Sequence, residues 1–181
     1  MPSFGALGES LSAAQASGFF RWFTLEQTGA SSPVPGRQVT HHRPNGPAFR
    51  DLTEVLLTAT DRGELTAVEL RLSRDFIEHP HNGLFARDIA KSLLRDAMPR
   101  PDAWAIADIA NEIEFPRHVE VPVLTARQVD VPLPVVPTSG YEVYLGRRGR
   151  FDLRGAVVDL VLENYLRETA RWFRMAVAAR S

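Results

Sequence analysis

Apolar and polar residues alternate most regularly between residues 51 and 77. The segments "DLTEVLLTAT" and "LTAVELRLSRDFI", joined by "DRGE", predict a β-hairpin. Successive side chains of a strand point to opposite faces of a sheet. In the second arm, one face carries Thr66, Val68, Leu70 and Leu72, and the other carries Ala67, Glu69, Arg71 and Ser73. This pattern indicates an antiparallel sheet with one buried face and one wetter face.

Weaker patterns flank this hairpin. In "FFRWFTLEQT", Phe19, Phe23 and Leu25 recur at period two, which favours a strand, while continuation of a preceding helix is the alternative. The composition of "GASSPVPGR" predicts a loop, "RQVTHH" a strand, "RPNGP" a turn and "YEVYLG" a further strand. We treat residues 1–17 as a separate N-terminal segment, either a short helix at about Ser10–Ala16 or a mobile tail.

A helical period begins after the stretch "EHPHN". Phe85, Ile89 and Leu93 recur every four residues and predict a helix that "PRP" ends, and "DAWAIADIANEI" predicts a short second one. From about Leu153 to Ala178, apolar residues again recur every three or four positions and predict a long helix. We therefore expect residues 18–181 to form one α+β domain: an antiparallel sheet with helices packed on one face and a long C-terminal helix.

The amino-acid composition excludes several kinds of catalytic site and binding partner. The chain has a formal net charge of −1, 44% hydrophobic residues and no cysteine. The missing cysteines exclude disulfides, thiolate nucleophiles and cysteine-ligated zinc. The balanced charge gives no reason to expect nucleic acid as a partner. No apolar run approaches the ~20 residues of a membrane span, and the first residues do not resemble a secretory signal. We expect a cytoplasmic protein with no membrane partner.

The stretch "EHPHN" is the first candidate site. His79 and His81 stand two residues apart, and Asn82 is a good N-cap for the helix that follows. The segment is then either a strand-to-helix junction, or an anion site at the helix N-terminus flanked by two imidazoles. As a metal site it needs a third ligand, for which His41, His42 and His118 are favoured and the acids Asp75, Glu78 and Glu120 are alternatives. The junction is favoured, and we expect no metal.

The run "GRRGR" at residues 146–150 is the second candidate. Arg147 and Arg148 can hold a phosphate or an acidic partner, although such runs are more often solvated turns. The neighbours His41 and His42 should project to opposite faces of their strand. Trp22, Trp104 and Trp172 stand beside other apolar residues and are expected in the core.

Function is constrained mainly by what the sequence lacks. It has no nucleophile elbow, zinc-protease motif, P-loop or dinucleotide loop, so we expect no cofactor and do not favour an enzyme. The predicted element order is similar to that of small bacterial secretion chaperones and related adaptor domains. Because catalytic signatures are missing and edge-type segments are abundant, the expected function is binding of a protein partner, or self-association, through a sheet edge and the terminal helix. The alternative is a small metal-dependent or anion-binding enzyme that uses His79 and His81.

Overall fold

Seven antiparallel strands form one sheet in the computed structural model, which describes residues 7–78, 82–97, 149–153, 156–162 and 172–179. The strand order is β1-β2-β3-β4-β7-β6-β5, with β1 and β5 at the two edges. Over these residues no helix is both long and apolar enough to cross a membrane. In chain order the elements are α1 (Leu11–Gln15), α2 (Gly18–Trp22), β1 (Leu25–Val34), β2 (Arg37–Pro44), α3 (Pro47–Arg50), β3 (Thr53–Thr60), β4 (Leu65–Ser73), α4 (Arg74–Glu78), α5 (Gly83–Ala97), β5 (Gly149–Leu153), β6 (Ala156–Leu162) and β7 (Trp172–Ala179).

The predicted hairpin is present as β3 and β4, and it supplies the middle of the core. Val55 pairs with Leu70 and Leu57 with Val68, and all four side chains are fully buried. The turn closes with the N–H of Gly63 donating to the carbonyl of Thr60 at 2.8 Å. Gly63 has φ +79°, a conformation that glycine adopts without steric cost.

Strand β7 completes this buried face from the distant end of the described chain. Phe173, Met175 and Val177 lie opposite Leu72, Leu70 and Val68 of β4, and the three β7 side chains are almost completely buried. The alternate residues of β7, Trp172, Arg174 and Ala176, are only partly buried. The alternation that marks the hairpin therefore continues across the β4–β7 pair.

The helices cover the buried face of the sheet. The predicted helix after "EHPHN" is confirmed as α5, and it buries Ile89, Ala90, Leu93 and Leu94 in the same cluster as the strands. Helix α1 matches the short helix predicted near Ser10–Ala16. Ser10 and Ser17 are the N-caps of α1 and α2, and their hydroxyls accept backbone N–H groups of the first turn.

The predicted long C-terminal helix is wrong. Its span, Leu153–Ala178, contains the end of β5, all of β6 and most of β7, while residues 163–171 lie outside the described chain. The error has a physical cause: where nearly every second or third residue is apolar, a spacing of three or four can be found in a strand as well. The three valines in "AVVDLVL" and the alternation of Phe173, Met175 and Val177 favour strands. The predicted similarity to secretion chaperones depended in part on a long closing helix, and the described chain has strands β6 and β7 in its place.

Several smaller predictions also need correction. The segment around Phe19–Phe23 is the helix α2 rather than a strand, and β1 runs through most of the predicted loop to Val34. Residues Arg74–Glu78 form α4 instead of extending the second arm of the hairpin. Trp22 does not lie in the core, since 84% of it is exposed, and Trp172 is half-buried. Trp104, the predicted helix "DAWAIADIANEI" and the predicted strand "YEVYLG" lie outside the described residues.

Candidate functional site

Most residues of the two predicted sites fall outside the described chain. Asn82 is described and directly precedes α5. Its carbonyl accepts the N–H of Ala86 at 2.8 Å, the bond expected from a residue at the N-cap. The anion and metal hypotheses built on "EHPHN", and the phosphate hypothesis built on "GRRGR", stay predictions. The residues that lie outside are His79, His81, His118, Arg147 and Arg148.

His41 and His42 project to opposite faces of β2, as predicted. His42 is buried beside the core ring of Phe20, at 5.0 Å between ring centroids. His41 is partly exposed on the other face, with Nδ1 3.4 Å from Oε1 of Glu54. The two imidazoles therefore cannot ligate one ion. Within the part of the chain that the structure describes, no three histidine or acidic side chains are grouped to hold a metal ion.

His42 has a structural role. Its Nε2 lies 2.9 Å from the hydroxyl of Thr40, which is also buried. Burial, and secondarily the neighbouring His41, lowers the pKa of His42 to about 4. The imidazole is therefore neutral near pH 7 and packs as a polar core residue with a hydrogen-bond partner.

The face of the sheet opposite the helices carries ion pairs centred on two glutamates. Glu54 of β3 is the first centre, with a side chain only 9% exposed. Its Oε1 lies 3.4 Å from both Nη2 of Arg43 and Nδ1 of His41, and its Oε2 accepts a hydrogen bond from Nη1 of Arg71 at 3.2 Å. Both carboxylate oxygens of this nearly buried acid are therefore engaged.

Glu69 of β4 is the second centre. Its Oε1 accepts a hydrogen bond from Nε of Arg71 at 2.6 Å. Arg174 of β7 donates to both carboxylate oxygens, from Nε to Oε1 at 2.9 Å and from Nη2 to Oε2 at 2.5 Å. Burial raises the pKa of Glu69, but the hydrogen bonds from Arg174 and Arg71 outweigh burial and leave that pKa below its ordinary value. The carboxylate is thus charged near pH 7 and joins β4 to β7.

An open pocket of about 490 Å³ lies where this charged face meets the edge strand β1. Residues 28–30 of β1 form one wall, and His41, Arg43 and Glu54 line the side nearer the middle of the sheet. Arg50 of α3 completes the lining. The accessible charges are cationic, because the side chains of Arg43 and Arg50 are 30% and 42% exposed, whereas Glu54 is almost covered.

Strand β1 itself is the second feature of this region. It is ten residues long, eight of them are exposed, and in the described sheet it has a neighbour on one side only. Its pairing with β2 shifts between Gln27 and Gly29, and the hydroxyl of Thr28 at this bulge donates to the carbonyl of His41 at 3.4 Å. The edge is therefore exposed and locally bent beside the pocket.

Sequence reasoning placed Glu69 and Arg71 on the wetter face but missed the site that Arg43, Arg50 and Glu54 form. Arg43 and Glu54 belong to neighbouring strands, and their proximity depends on the β2–β3 register. A usable signal was present, since an acid in the otherwise apolar "TEVLL" calls for a nearby partner. Comparison of the chain with protein-family models, with curated proteins and with solved structures gives no match in any of the three.

Proposed function

We propose that this chain is a protein-interaction domain that binds an extended segment of a partner protein as an additional strand beside β1. The observation that carries the proposal is the exposed ten-residue edge of β1. Strand addition uses backbone hydrogen bonds for affinity and neighbouring pockets for specificity. The opposite edge strand, β5, has only five residues. The predicted use of the terminal helix is abandoned, because that helix is wrong.

The geometry of β1 also limits where a partner can pair. Exposed edge strands promote aggregation, and natural sheets interrupt them with bulges and prolines. Here the register shift at Thr28 and a second shift between Ser31 and Val34, which contains Pro33, leave residues 29–31 regularly paired with β2, next to the open pocket. A partner segment pairing with these residues places its side chains beside the pocket, which links the backbone contact to a specificity site.

Selection from a library of random peptides displayed on phage, using the immobilised full chain, tests the proposal. In an antiparallel ladder, successive residues point their N–H groups alternately inward and outward. Of Ala30→Pro and Ser31→Pro, one variant therefore removes an outward N–H and the other an N–H that faces β2. We expect the variant that loses the outward N–H to fold normally, as judged by circular dichroism, and to lose its binding of the selected peptides.

Asp61→Pro is the matched control, because Asp61 is the second residue of the exposed Thr60–Gly63 turn, where proline is tolerated. This variant should still bind the selected peptides. If the peptides bind equally well to a folded edge variant, strand addition at β1 is wrong. Light scattering of the free chain tests self-association. If the chain is a dimer, and the same edge substitution dissociates it, then the strand added beside β1 comes from a second copy of the chain and not from a different protein.

The alternative enzyme that uses His79 and His81 stays a prediction. His42 is removed from its candidate third ligands, because the imidazole is buried and paired with Thr40. Metal analysis of wild-type protein and His81→Ala tests this alternative. A cytoplasmic location, and the expectation of no nucleic-acid or membrane partner, likewise stay predictions from the sequence.

A further inference from the structure

We propose that the partner segment is acidic, and that one of its carboxylates binds Arg43 and Arg50 in the open pocket beside β1. This inference rests on the proposed function, because it assigns the chemistry of the strand that β1 receives. The pocket touches the edge directly, since residues 28–30 of β1 form its wall. A side chain on the charged face of a strand added beside residues 28–30 therefore lies next to the pocket.

The accessible charge of the pocket favours an anion. Among the described residues that line it, Glu54 is the one acid; its side chain is 9% exposed and already interacts with Arg43, His41 and Arg71. The exposed acids Asp51 and Glu26, which pair with the two arginines, are not part of this lining, so an incoming group inside the pocket meets guanidinium nitrogens. Arginine has the planar donor geometry that matches a carboxylate in a two-bond arrangement.

The exposed partners of the two arginines are easily displaced, while Glu54 stays beside Arg43. Nη1 of Arg43 lies 3.4 Å from Oδ1 of Asp51, whose side chain is 88% exposed, and Nη1 of Arg50 lies 3.9 Å from Oε2 of the half-exposed Glu26. These distances are long compared with the ~2.7–2.9 Å of strong charge-assisted bonds. Exposed pairs of this kind contribute little to stability. A partner carboxylate held in place by strand pairing can exchange with them.

A free inorganic anion fits the pocket less well than a carboxylate carried on a strand. The pocket is open to solvent, so the attraction of Arg50 for a lone anion is screened. Pairing with β1 holds the acidic side chain in place and reduces the entropy lost on binding. The backbone and the pocket therefore act together on one occupant.

The same peptide selection tests this inference on a different readout. Peptides selected on wild type should carry aspartate or glutamate at one preferred position, and this preference should disappear in a parallel selection on Arg50→Gln. Arg50 is the better residue to change, because its ion pair with Glu26 is long and exposed, so folding should be unaffected. Arg62→Gln, in the exposed β3–β4 turn, is the matched control and should retain the preference.

A selected peptide in which the acid is replaced by its amide gives the quantitative test. We expect this change to weaken binding to wild type about tenfold, the equivalent of about 1.4 kcal/mol, and binding to Arg50→Gln less than about twofold. Equal acid preference on wild type and Arg50→Gln would overturn the inference while leaving strand addition intact. Acid-dependent binding that survives the β1 prolines would also overturn it, since the pocket would then bind an oxyanion without the edge.

Discussion

Thr24 has the least usual backbone conformation in the described chain. Its φ is +45°, in the left-handed region that β-branched residues avoid. It follows the last residues of α2, where its N–H donates to the carbonyl of Arg21 at 3.2 Å and its own carbonyl accepts the N–H of Asn45 at 3.0 Å. Helices commonly end with glycine in this conformation. Thr24 therefore ends α2 and aims the chain into β1 at a conformational cost.

Thr24→Gly should raise the free energy of unfolding by about 1 kcal/mol, because glycine adopts this conformation without the steric cost. Urea unfolding followed by circular dichroism measures it. Thr58→Gly is the control, since Thr58 has the ordinary extended backbone of β3, and it should lose about 1 kcal/mol. A loss of the same size in both variants would show that Thr24 carries no strain.

His42 makes stability depend on pH. Its pKa is about 4 in the folded protein and near 6.5 when unfolded, so the unfolded chain binds more protons between these values. Stability is therefore fully present above about pH 6.5 and falls as the pH drops towards 4. The full shift corresponds to a loss of about 3 kcal/mol.

The variant His42→Gln should remove most of this slope, because glutamine can contact Thr40 but does not titrate in this range. Urea unfolding of both proteins at several pH values between 4 and 7 gives the difference. His41→Gln is the matched control and should retain most of the slope, because His42 stays buried. A slope that persists in His42→Gln would assign it to other groups.

At the scale of elements, Glu69 holds the β4–β7 pair together on the charged face. Arg71 and Arg174 are directly opposite each other in the register, and Glu69 accepts hydrogen bonds from both. Like charges opposite each other destabilise a sheet. Glu69→Ala should therefore lower the free energy of unfolding by about 2 kcal/mol, measured with urea.

Asp51→Ala provides the comparison for Glu69→Ala. Asp51 also pairs with an arginine, but it is exposed and its contact with Arg43 is long, so its loss should cost less than about 0.5 kcal/mol. Comparable losses in the two variants would contradict the central position given to Glu69. Because the pKa of Glu69 is lowered, its contribution is present above the ordinary carboxyl pKa and is lost as the pH falls through the lower folded value.

Elements with a single clear period could be predicted from the sequence. In β4 and α5 one face is apolar and the other polar, so only one secondary structure places Leu70 or Ile89 inside. In β6 and β7 the apolar residues satisfy both periods. Apolar spacing alone therefore could not separate a long helix from two strands. The valines of β6 favour a strand locally, and the pairing of β7 with the distant strand β4 supports the same choice.

For the whole molecule, the candidate site was less predictable than the fold. Asn82 and the separation of His41 from His42 follow from local rules, and the structure agrees with both. The pocket combines residues from β1, β2, β3 and α3, which meet only through sheet register. The spacing of these residues along the sequence does not predict that they lie close together. The exposed edge was anticipated in kind, but β1 was not identified as its strand.

The central pairing of the sheet has a consequence for biosynthesis. Glu69 of β4 and Arg174 of β7 are 105 residues apart in the chain, so a ribosome working at about 5–20 residues per second makes β7 roughly 5 to 20 s after β4. During that interval β4 is paired with β3 but has an open edge on its other side. The nascent chain then carries a second, transient edge as well as β1, and this edge is closed by the chain's own later strand. A translation pause or truncation between the two strands would leave that edge open to other nascent chains.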